Sequence, residues 1–352
     1  MESHSVSALR FRSEDLQEFA EKCFIRVGLR PDEARLVADH LVTANLRGVD
    51  SHGVVRIPYY IEGIEAGYVS VSASVKVVSE SSTAALLDCG GALGIIGAKR
   101  AEELAAMKSR DQGLALVGAV NLGHVGMLAY YTGDLAARGF LAVALANGPA
   151  EVAPWGGVTR VFGTNPISFA IPRRGAPPII ADMATSAVAK FKVVLAAATG
   201  ARIPEGVALG SDGKPTTDPR EALKGALLPF GGYKGYSFSL LVEVLASALI
   251  GAPRSIEIKS HPSTQGGFVI LAIDPGLFIG PENFFTRVER IVEVVKTSER
   301  MAGVGEVLLP GEPEERSYAD RLAKGIPIDS ATAKSLMELA ARLGVEFPRP
   351  LA

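Results

Sequence analysis

The feature that most restricts the fold is an alternation of short apolar segments with longer helical patterns after about residue 75. The segments "AALLDC", "LALVGAV" and "FLAVALAN" have the length and composition of buried strands. Between them lie "IGAKRAEELAAMKSRDQG" and "GMLAYYTGDLAARG", and each ends at a glycine, as helices commonly do. Further strands are predicted at "SFAIP", "IIADM" and "GGFVILAID". Strands that alternate with helices predict an α/β layer.

The residues before this alternation predict a small helical lobe. Apolar residues recur at helical spacing between Leu16 and Phe24, and Gly28 closes the run. A second helix begins at Pro31, because proline at the first helical position loses no needed hydrogen bond. This lobe leads directly into the segment "NLRGVDSHGVVRIPYY".

We therefore divide the chain into three regions. Residues 1–75 are the helical lobe that carries the Ser-His-Gly motif, and residues 76–300 are the α/β domain. Residues 301–352 form a C-terminal helical segment, with Ser330 as a helix cap, which we expect to pack back on the first lobe.

Charge and composition exclude several classes of partner. The formal net charge is -2 and no basic block stands out, so nucleic acid is not the main partner. No apolar run reaches the ~18 residues of a spanning helix, and "SFSLLVEVLASALIGA", which Glu243 interrupts, predicts a buried helix instead. The N-terminus lacks the apolar core of a signal peptide, and Cys23 and Cys89 fit no metal spacing and suggest no disulfide framework. We expect a cytoplasmic protein with no metal and no membrane partner.

The glycines of "CGGALGIIGAKRAEEL" do not form a Rossmann fingerprint. Gly91, Gly94 and Gly97 have the spacing G-x-x-G-x-x-G, whereas the dinucleotide-binding turn needs its first two glycines two residues apart. Close packing at a strand-to-helix turn explains them better. The chain also has no Walker A pattern. A dinucleotide, if bound, must be held by other loops.

His52 and Arg56 are the first candidates for chemistry. They lie four residues apart and share a face if the segment is helical, although Pro58 disfavours helical geometry at Ile57. A guanidinium can hold a carboxylate by two parallel hydrogen bonds, and an imidazole titrates near neutrality and can move a proton at the neighbouring carbon. A hydrogen-bonded structural histidine is the alternative, at comparable weight.

A hydrolase triad of Ser51, His52 and Asp182 is disfavoured. The motif G-x-S-x-G lacks its first glycine here. Adjacent residues in regular structure also point apart, which makes proton transfer from Ser51 to His52 awkward.

Three further segments offer polar groups at predicted strand ends or turns. His124, in "NLGHVGM", lies between glycines after a strand, where α/β sheets bind ligands, although a tight turn with a solvated histidine is as good an explanation. Asp182 ends an apolar strand and could orient an imidazole or cap the following helix. Lys234, between glycines at a helix start, suits a phosphate or is simply exposed. Uncharged polar groups come from Thr164, Asn165, Thr185 and Ser186.

Eight ordered blocks together resemble the type 2 malate/L-lactate dehydrogenase family. They are "RGVDSHGVVR", "NLGHVGM", "FGTNPISFAIP", "DMATS", "DGKPTTDP", "GALLPFGGYKGYSFSLLVEVL", "LAIDP" and "LPGEPE". The family also includes ureidoglycolate, sulfolactate and diketogulonate oxidoreductases and a cyclic imino-acid reductase. The resemblance implies a mixed-sheet, non-Rossmann NAD(P)-binding domain with an N-terminal helical lobe and C-terminal helices. It also implies a homodimer with its active site near the subunit boundary.

The resemblance assigns roles to individual residues. His52 matches the family's proton donor, Ser51 and Asp182 match its relay partners, and Arg56 matches the carboxylate contact. We add His124 and Thr164 as substrate contacts. The positions that match the family's cofactor site are His124, Asp182, Met183, Ala184, Thr185, Lys234, Gly235, Gly311, Glu312 and Pro313. The chain departs from the family at Phe191, where a small residue is usual, and in "SHPSTQGGF".

The sequence therefore predicts hydride transfer between a nicotinamide, NAD or NADP, and a 2-oxo/2-hydroxy acid. A cyclic imino-acid reductase of the Δ1-piperideine-2-carboxylate type is the main alternative. A non-catalytic ligand-binding protein on the same fold is an alternative of another class. The identity of the acid, the choice between NAD and NADP and the physiological direction stay open.

Overall fold

The computed structural model describes residues 9–261, 263–264 and 266–351. The masked positions include Pro262 and Gln265, so part of the divergent segment "SHPSTQGGF" lies outside the described residues. Among the described residues, no helix is both long and apolar enough to cross a membrane.

The N-terminal lobe consists of a short strand and three helices. Between the second and third helices the chain makes two short 3-10 turns, Asp50–His52 and Val54–Arg56, which carry the residues of the Ser-His-Gly motif. The elements of the lobe are β1 (Leu9–Phe11), α1 (Ser13–Arg26), α2 (Pro31–Leu46) and α3 (Ile57–Glu65).

The α/β region follows, with all of its predicted strands present. Its strands are β2 (Lys76–Glu80), β3 (Ala84–Ala92), β4 (Leu114–Leu122), β5 (Leu141–Ala146), β6 (Ile167–Ile171), β7 (Ile179–Met183), β8 (Ala208–Leu209), β9 (Ala226–Leu227) and β10 (Phe268–Ile273). Its helices are α4 (Gly94–Gln112), α5 (Ala129–Ala137), α6 (Lys190–Thr199), α7 (Pro219–Lys224), α8 (Tyr233–Glu243), α9 (Gly276–Ile279) and α10 (Pro281–Thr297). The chain ends with α11 (Glu312–Lys324), β11 (Ile326–Ile328) and α12 (Ser330–Leu343).

Seven of these strands form one mixed sheet in the order β2-β3-β4-β10-β5-β6-β7. Only β3 and β4 pair in parallel, through the crossover helix α4, and the other neighbours are antiparallel. A doubly wound dinucleotide fold needs a run of parallel strands. The expected mixed-sheet, non-Rossmann α/β architecture is therefore confirmed.

The glycines of the rejected fingerprint serve close packing. A Cβ on Gly97 would lie 2.6 Å from the Sγ of Cys89 on β3, so only glycine lets α4 approach the strand this closely. A Cβ on Gly94 would overlap the backbone of Gly123, in the loop that follows β4. The start of α4 thus supports the loop that carries His124.

The C-terminal segment lies on the N-terminal lobe. β11 pairs with β1 in antiparallel fashion. Leu336 and Leu339 of α12 belong to the same buried cluster as Phe19 of α1. The cap of α12 is Asp329, whose carboxylate accepts hydrogen bonds from the N–H groups of Ala331 and Thr332. Our prediction of Ser330 as the cap was therefore wrong by one residue.

The apolar segment predicted as a buried helix is only half buried. It forms α8 and a π-helical turn at Val244–Ala248. Val242 and Ala246 are buried, but Leu240, Leu241, Val244 and Leu249 are each between 45% and 55% exposed. The prediction was wrong because the segment has apolar residues around its whole circumference, while this chain covers only one side of it.

Replacing Leu336 tests the packing of α12 on the lobe. Leu336→Ala removes a fully buried side chain from the shared cluster, and we expect it to lower the free energy of unfolding by about 2–5 kcal/mol. Its neighbour Met337 is 43% exposed, so Met337→Ala is a matched control expected to change stability by only about 0.5 kcal/mol. Chemical denaturation measures both. Equal losses in the two variants would contradict this packing.

Candidate active site

One cavity of about 910 Å³ collects most of the predicted site residues. Its walls come from the two 3-10 turns, the loop after β4, the end of β7, the first turn of α6 and the loop before α11. This volume is near the upper end of the roughly 300–1,000 Å³ found for small-molecule sites. The predicted residues that line it are Ser51, His52, Arg56, His124, Thr164, Asp182, Met183, Ala184, Gly311 and Pro313.

Helix α2 holds the loop of the first histidine through Asn45. The Oδ1 atom of Asn45 accepts a hydrogen bond of 2.8 Å from the N–H of Val54, and its Nδ2 donates one of 2.7 Å to Asp50. A Cβ on Gly53 would overlap this amide. The glycine of the Ser-His-Gly motif therefore lets the turn sit directly on a buried polar side chain.

The same helix holds the loop of the second histidine through His40. The Nε2 atom of His40 accepts a 2.9 Å hydrogen bond from the N–H of Met127. Gly126 has a φ of +75°, which favours glycine, and a Cβ there would overlap the His40 ring. His40 is fully buried, and burial lowers its pKa to about 3, so it stays neutral. Neither Asn45 nor His40 was predicted to support the site.

The two histidine rings meet in the cavity. Their centroids are 5.5 Å apart and their planes are inclined by 21°. The Oγ of Ser51 lies 2.9 Å from Nδ1 of His52. We expected adjacent side chains to point apart, and this was wrong here because the residues lie in a 3-10 turn rather than in regular structure. Burial, and next the charge of Arg56, lower the pKa of His52 to about 3.

His124 has a defined tautomer. Its Nδ1 accepts a 3.2 Å hydrogen bond from the N–H of Gly126, so the ring hydrogen is on Nε2. The hydroxyl of Tyr60, which is fully buried on α3, lies 2.8 Å from the same Nδ1. Burial, and next the charge of Arg56, lower the pKa of His124 well below its usual value. Tyr60 was not predicted, because nothing in the sequence connects it with residue 124.

Arg56 presents a guanidinium without an acidic partner. Its Nε donates a 2.6 Å hydrogen bond to the backbone oxygen of Ser51. In the described part of the chain no carboxylate pairs with it, and its Nη groups have no hydrogen-bond partner. Burial lowers the pKa of Arg56, because an enclosed charge loses its hydration. Such a charge is normally paired, so the arrangement favours an anionic ligand.

Asp182 faces the same cavity from the end of β7. Its carboxylate accepts a 2.8 Å hydrogen bond from the N–H of Ala129, the first residue of α5. It therefore caps α5, not the helix that follows it in sequence. The described hydrogen bonds include none between Asp182 and His52. Loss of hydration beside the surrounding protein raises the pKa of Asp182 to about 6. Hydrogen bonding by the N–H groups of Ala129 and Leu128 opposes this shift.

The residues matched to a cofactor site fall into two groups. Met183, Ala184, Gly311 and Pro313 line the cavity together with His124 and Asp182. Thr185 lies behind the cavity wall. Its N–H donates a hydrogen bond to the backbone oxygen of Thr164, and its Oγ1 accepts one from the hydroxyl of Ser239. Lys234 is exposed at the start of α8, beside the buried Gly235, and Glu312 pairs with Lys296 at 2.7 Å. The cavity is not lined by Thr185, Lys234, Gly235 or Glu312.

No metal is indicated in the described residues. No group of three or more histidine, cysteine, aspartate or glutamate side chains among them could hold an ion. The cavity collects two imidazoles, a carboxylate and the guanidinium of Arg56 within partly apolar walls.

Comparison with known proteins gives one consistent family. The sequence model of the malate/L-lactate dehydrogenase family matches residues 11–337. An L-sulfolactate dehydrogenase from Methanothermobacter thermautotrophicus is 35% identical over 343 residues, which cover 96% of this chain and 98% of that protein. A Delta(1)-pyrroline-2-carboxylate/Delta(1)-piperideine-2-carboxylate reductase from Pseudomonas putida is 35% identical over 331 residues, which cover 92% of this chain and 95% of that protein.

The fold agrees with this result. The solved structure of sulfolactate dehydrogenase from Methanocaldococcus jannaschii superposes with a TM-score of 0.90 at 34% sequence identity. The match covers 96% of this chain and 98% of that one. The similarity therefore extends over all regions of the chain and is not limited to one motif.

The low pKa of His52 can be measured directly. We expect its imidazole to stay neutral in the unliganded protein until the pH falls to about 3. Arg56→Gln removes the positive charge that helps to lower this pKa, so the pKa of His52 should rise, though not beyond its ordinary value, because burial still opposes the imidazolium. Histidine titration by NMR measures the shift. Arg110→Gln, which removes an exposed charge on α4, is the control, and an equal shift in both variants would contradict the assignment.

Proposed function

The chain belongs to the malate/L-lactate dehydrogenase family, a family of hydroxy-acid oxidoreductases, and we propose that it transfers a hydride between NAD or NADP and C2 of a 2-oxo/2-hydroxy acid. The observation that carries this proposal is the unpaired guanidinium of Arg56 in the same cavity as His52 and His124. The free Nη groups can hold a carboxylate by two parallel hydrogen bonds. The carbon next to that carboxylate then lies within reach of an imidazole.

His52 is the proposed acid and base. When bound, the nicotinamide supplies or accepts the hydride at C4. In the oxidative direction neutral His52 removes the proton of the substrate hydroxyl, and its low pKa keeps it neutral in the free site. In the reductive direction the substrate carboxylate offsets the charge of Arg56, which favours protonation of His52. The imidazolium then donates its proton to the carbonyl oxygen.

Ser51 and Asp182 support this imidazole in the proposal. The hydroxyl of Ser51 is placed to fix the orientation of the ring through Nδ1. Asp182 faces the same cavity, and its negative charge favours the imidazolium across it. The Nε2–H of His124 and the side chain of Thr164 are proposed to contact the oxygens of the substrate.

The cofactor is proposed to lie along the segment from Asp182 to Thr185 and the Gly311–Pro313 loop, beside His124. Met183 and Ala184 provide an apolar surface and backbone groups for the nicotinamide end. Lys234 and Gly235 lie outside the cavity, at the amino end of α8, where N–H groups and a lysine suit a phosphate.

Assembly and location belong to the same proposal. The exposed side chains of Leu240, Leu241 and Val244 in α8 and its π turn, with Leu249 just after it, form an apolar face of the kind that a homodimer interface covers. Cys23 and Cys89 are buried and free, which suits a reducing cytoplasm. The division at residues 75 and 300 is proposed as the boundary between the lobe, the cofactor-binding domain and the C-terminal segment.

A second reaction has one observation in its favour. The reductase of Pseudomonas putida named above matches this chain at 35% identity. In such a reaction Arg56 would hold the same carboxylate, and His52 would face a ring nitrogen in place of a carbonyl oxygen. The chain is an enzyme of this family, so a non-catalytic binding protein is set aside.

Consumption of the reduced nicotinamide distinguishes the two reactions. We expect turnover with 2-oxo acids and little or none with cyclic imino acids, for either NADH or NADPH. His52→Ala should lower kcat by about 10²-fold or more, because it removes the proton donor. Binding of the reduced nicotinamide, followed by fluorescence, should be retained. Turnover of imino acids alone would overturn the oxo-acid assignment, and undiminished kcat in the variant would remove His52 from the mechanism.

Arg56→Lys tests the carboxylate contact. Lysine keeps the charge but loses the planar fork, so kcat/KM for 2-oxo acids should fall by about 10- to 100-fold, the equivalent of one charged hydrogen bond. KM for the nicotinamide should stay unchanged. Arg35→Lys, at a side chain that is 75% exposed on α2, is the control. An unchanged kcat/KM for every 2-oxo acid tested would refute the role of Arg56.

A further inference from the structure

Phe191 places a large aromatic ring in the wall of the cavity. It is half-buried in the first turn of α6 and lines the same cavity as Arg56 and His52. Its neighbours Ala189 and Val194 line the same wall. The first turn of α6 thus fills space that a smaller residue would leave open.

The ring of Phe191 also contacts the carboxylate-binding group. The guanidinium carbon of Arg56 lies 5.7 Å from the ring centroid, within the range of a cation–π interaction. The ring restricts the guanidinium from this side, while the bond from Nε to Ser51 holds its other end. The Nη groups keep their hydrogen-bonding capacity, because the ring has no acceptor for them.

The backbone at Phe191 is held by contacts of the residues on either side of it. Lys190 forms an ion pair with Glu151, whose side chain is nearly buried. Val193 is completely buried and belongs to the cluster under α6. Phe191 therefore enters the cavity from an anchored helical turn.

We propose that Phe191 determines specificity, by holding the guanidinium of Arg56 in place and limiting the group at C3 of the bound acid to a small one. The proposal rests on the proposed function, in which Arg56 holds the carboxylate. The C3 group of such an acid lies only a few bonds from the guanidinium, and the Phe191 ring fills the adjacent space. The favoured substrates are therefore 2-oxo acids with short C3 groups.

The test compares two unreactive carboxylates in affinity. In oxamate the amide nitrogen stands where pyruvate has C3, and N-isobutyloxamate carries a branched group on that nitrogen. In calorimetry with the nicotinamide-bound enzyme, the wild-type protein should prefer oxamate. Phe191→Ala should shift the ratio of dissociation constants toward the bulky ligand by about 10-fold or more, the effect of one or two methylene groups of space. The ratio for Phe191→Leu should lie between those of the wild type and Phe191→Ala.

Phe278→Ala is the matched control, because Phe278 is 86% exposed and does not line the cavity. Its ratio should equal that of the wild type. An unchanged ratio in both Phe191 variants, or a wild type that binds neither ligand, would overturn the proposal. If thermal unfolding shows that Phe191→Ala does not fold, the Phe191→Leu result decides.

Parallel kinetics with pyruvate and 4-methyl-2-oxopentanoate separate this proposal from the proposed function. A shifted affinity ratio without turnover of any oxo acid would support the role of Phe191 and refute the reaction. If both acids are turned over with the same preference in the wild type and in Phe191→Ala, the reaction is supported and the role of Phe191 is refuted.

Discussion

The site depends on two buried polar side chains of one helix. Asn45 and His40 of α2 each accept a hydrogen bond from the loop that carries one of the two cavity histidines. In each loop a glycine sits against the accepting side chain, because any other residue would overlap it. The distance between the rings of His52 and His124 is therefore set by α2 and not by the loops themselves. A rigid element of this kind holds catalytic groups more accurately than loops can.

This arrangement encloses a charge that the described protein groups do not neutralise. Burial, and next the charge of Arg56, lowers the pKa of both neighbouring histidines, so the free site holds one cation and two neutral imidazoles. In the proposed reaction an incoming carboxylate is attracted to this cation and offsets its charge, the second of the two causes that lower the pKa of His52. In that proposal, substrate binding and readiness for proton donation are linked by one Coulombic interaction.

Sequence reasoning was effective where the signal is local. Six of the seven strands of the central sheet were predicted because they are short, apolar and bounded by turn residues. The exposed edge strand β2 was not predicted. The unsuitable glycine spacing at Gly91, Gly94 and Gly97 correctly argued against a Rossmann turn. The partnership of Tyr60 with His124 could not be predicted, because it joins residues 64 positions apart. The exposure of Leu240 and Leu241 could not be predicted either, since an apolar segment does not reveal how much of it the same chain covers.

The place of β10 in the sheet has a consequence for how the molecule forms. β10 lies between β4 and β5 and pairs with both, yet it comes more than 120 residues after β5 in the chain. During synthesis the backbone N–H and C=O groups on the facing edges of β4 and β5 lack their strand partner until residues 268–273 emerge from the ribosome. The sheet cannot close progressively from its N-terminal side. Nascent chains of this topology are accordingly exposed to edge-to-edge aggregation, and shielding by chaperones benefits them most in that interval.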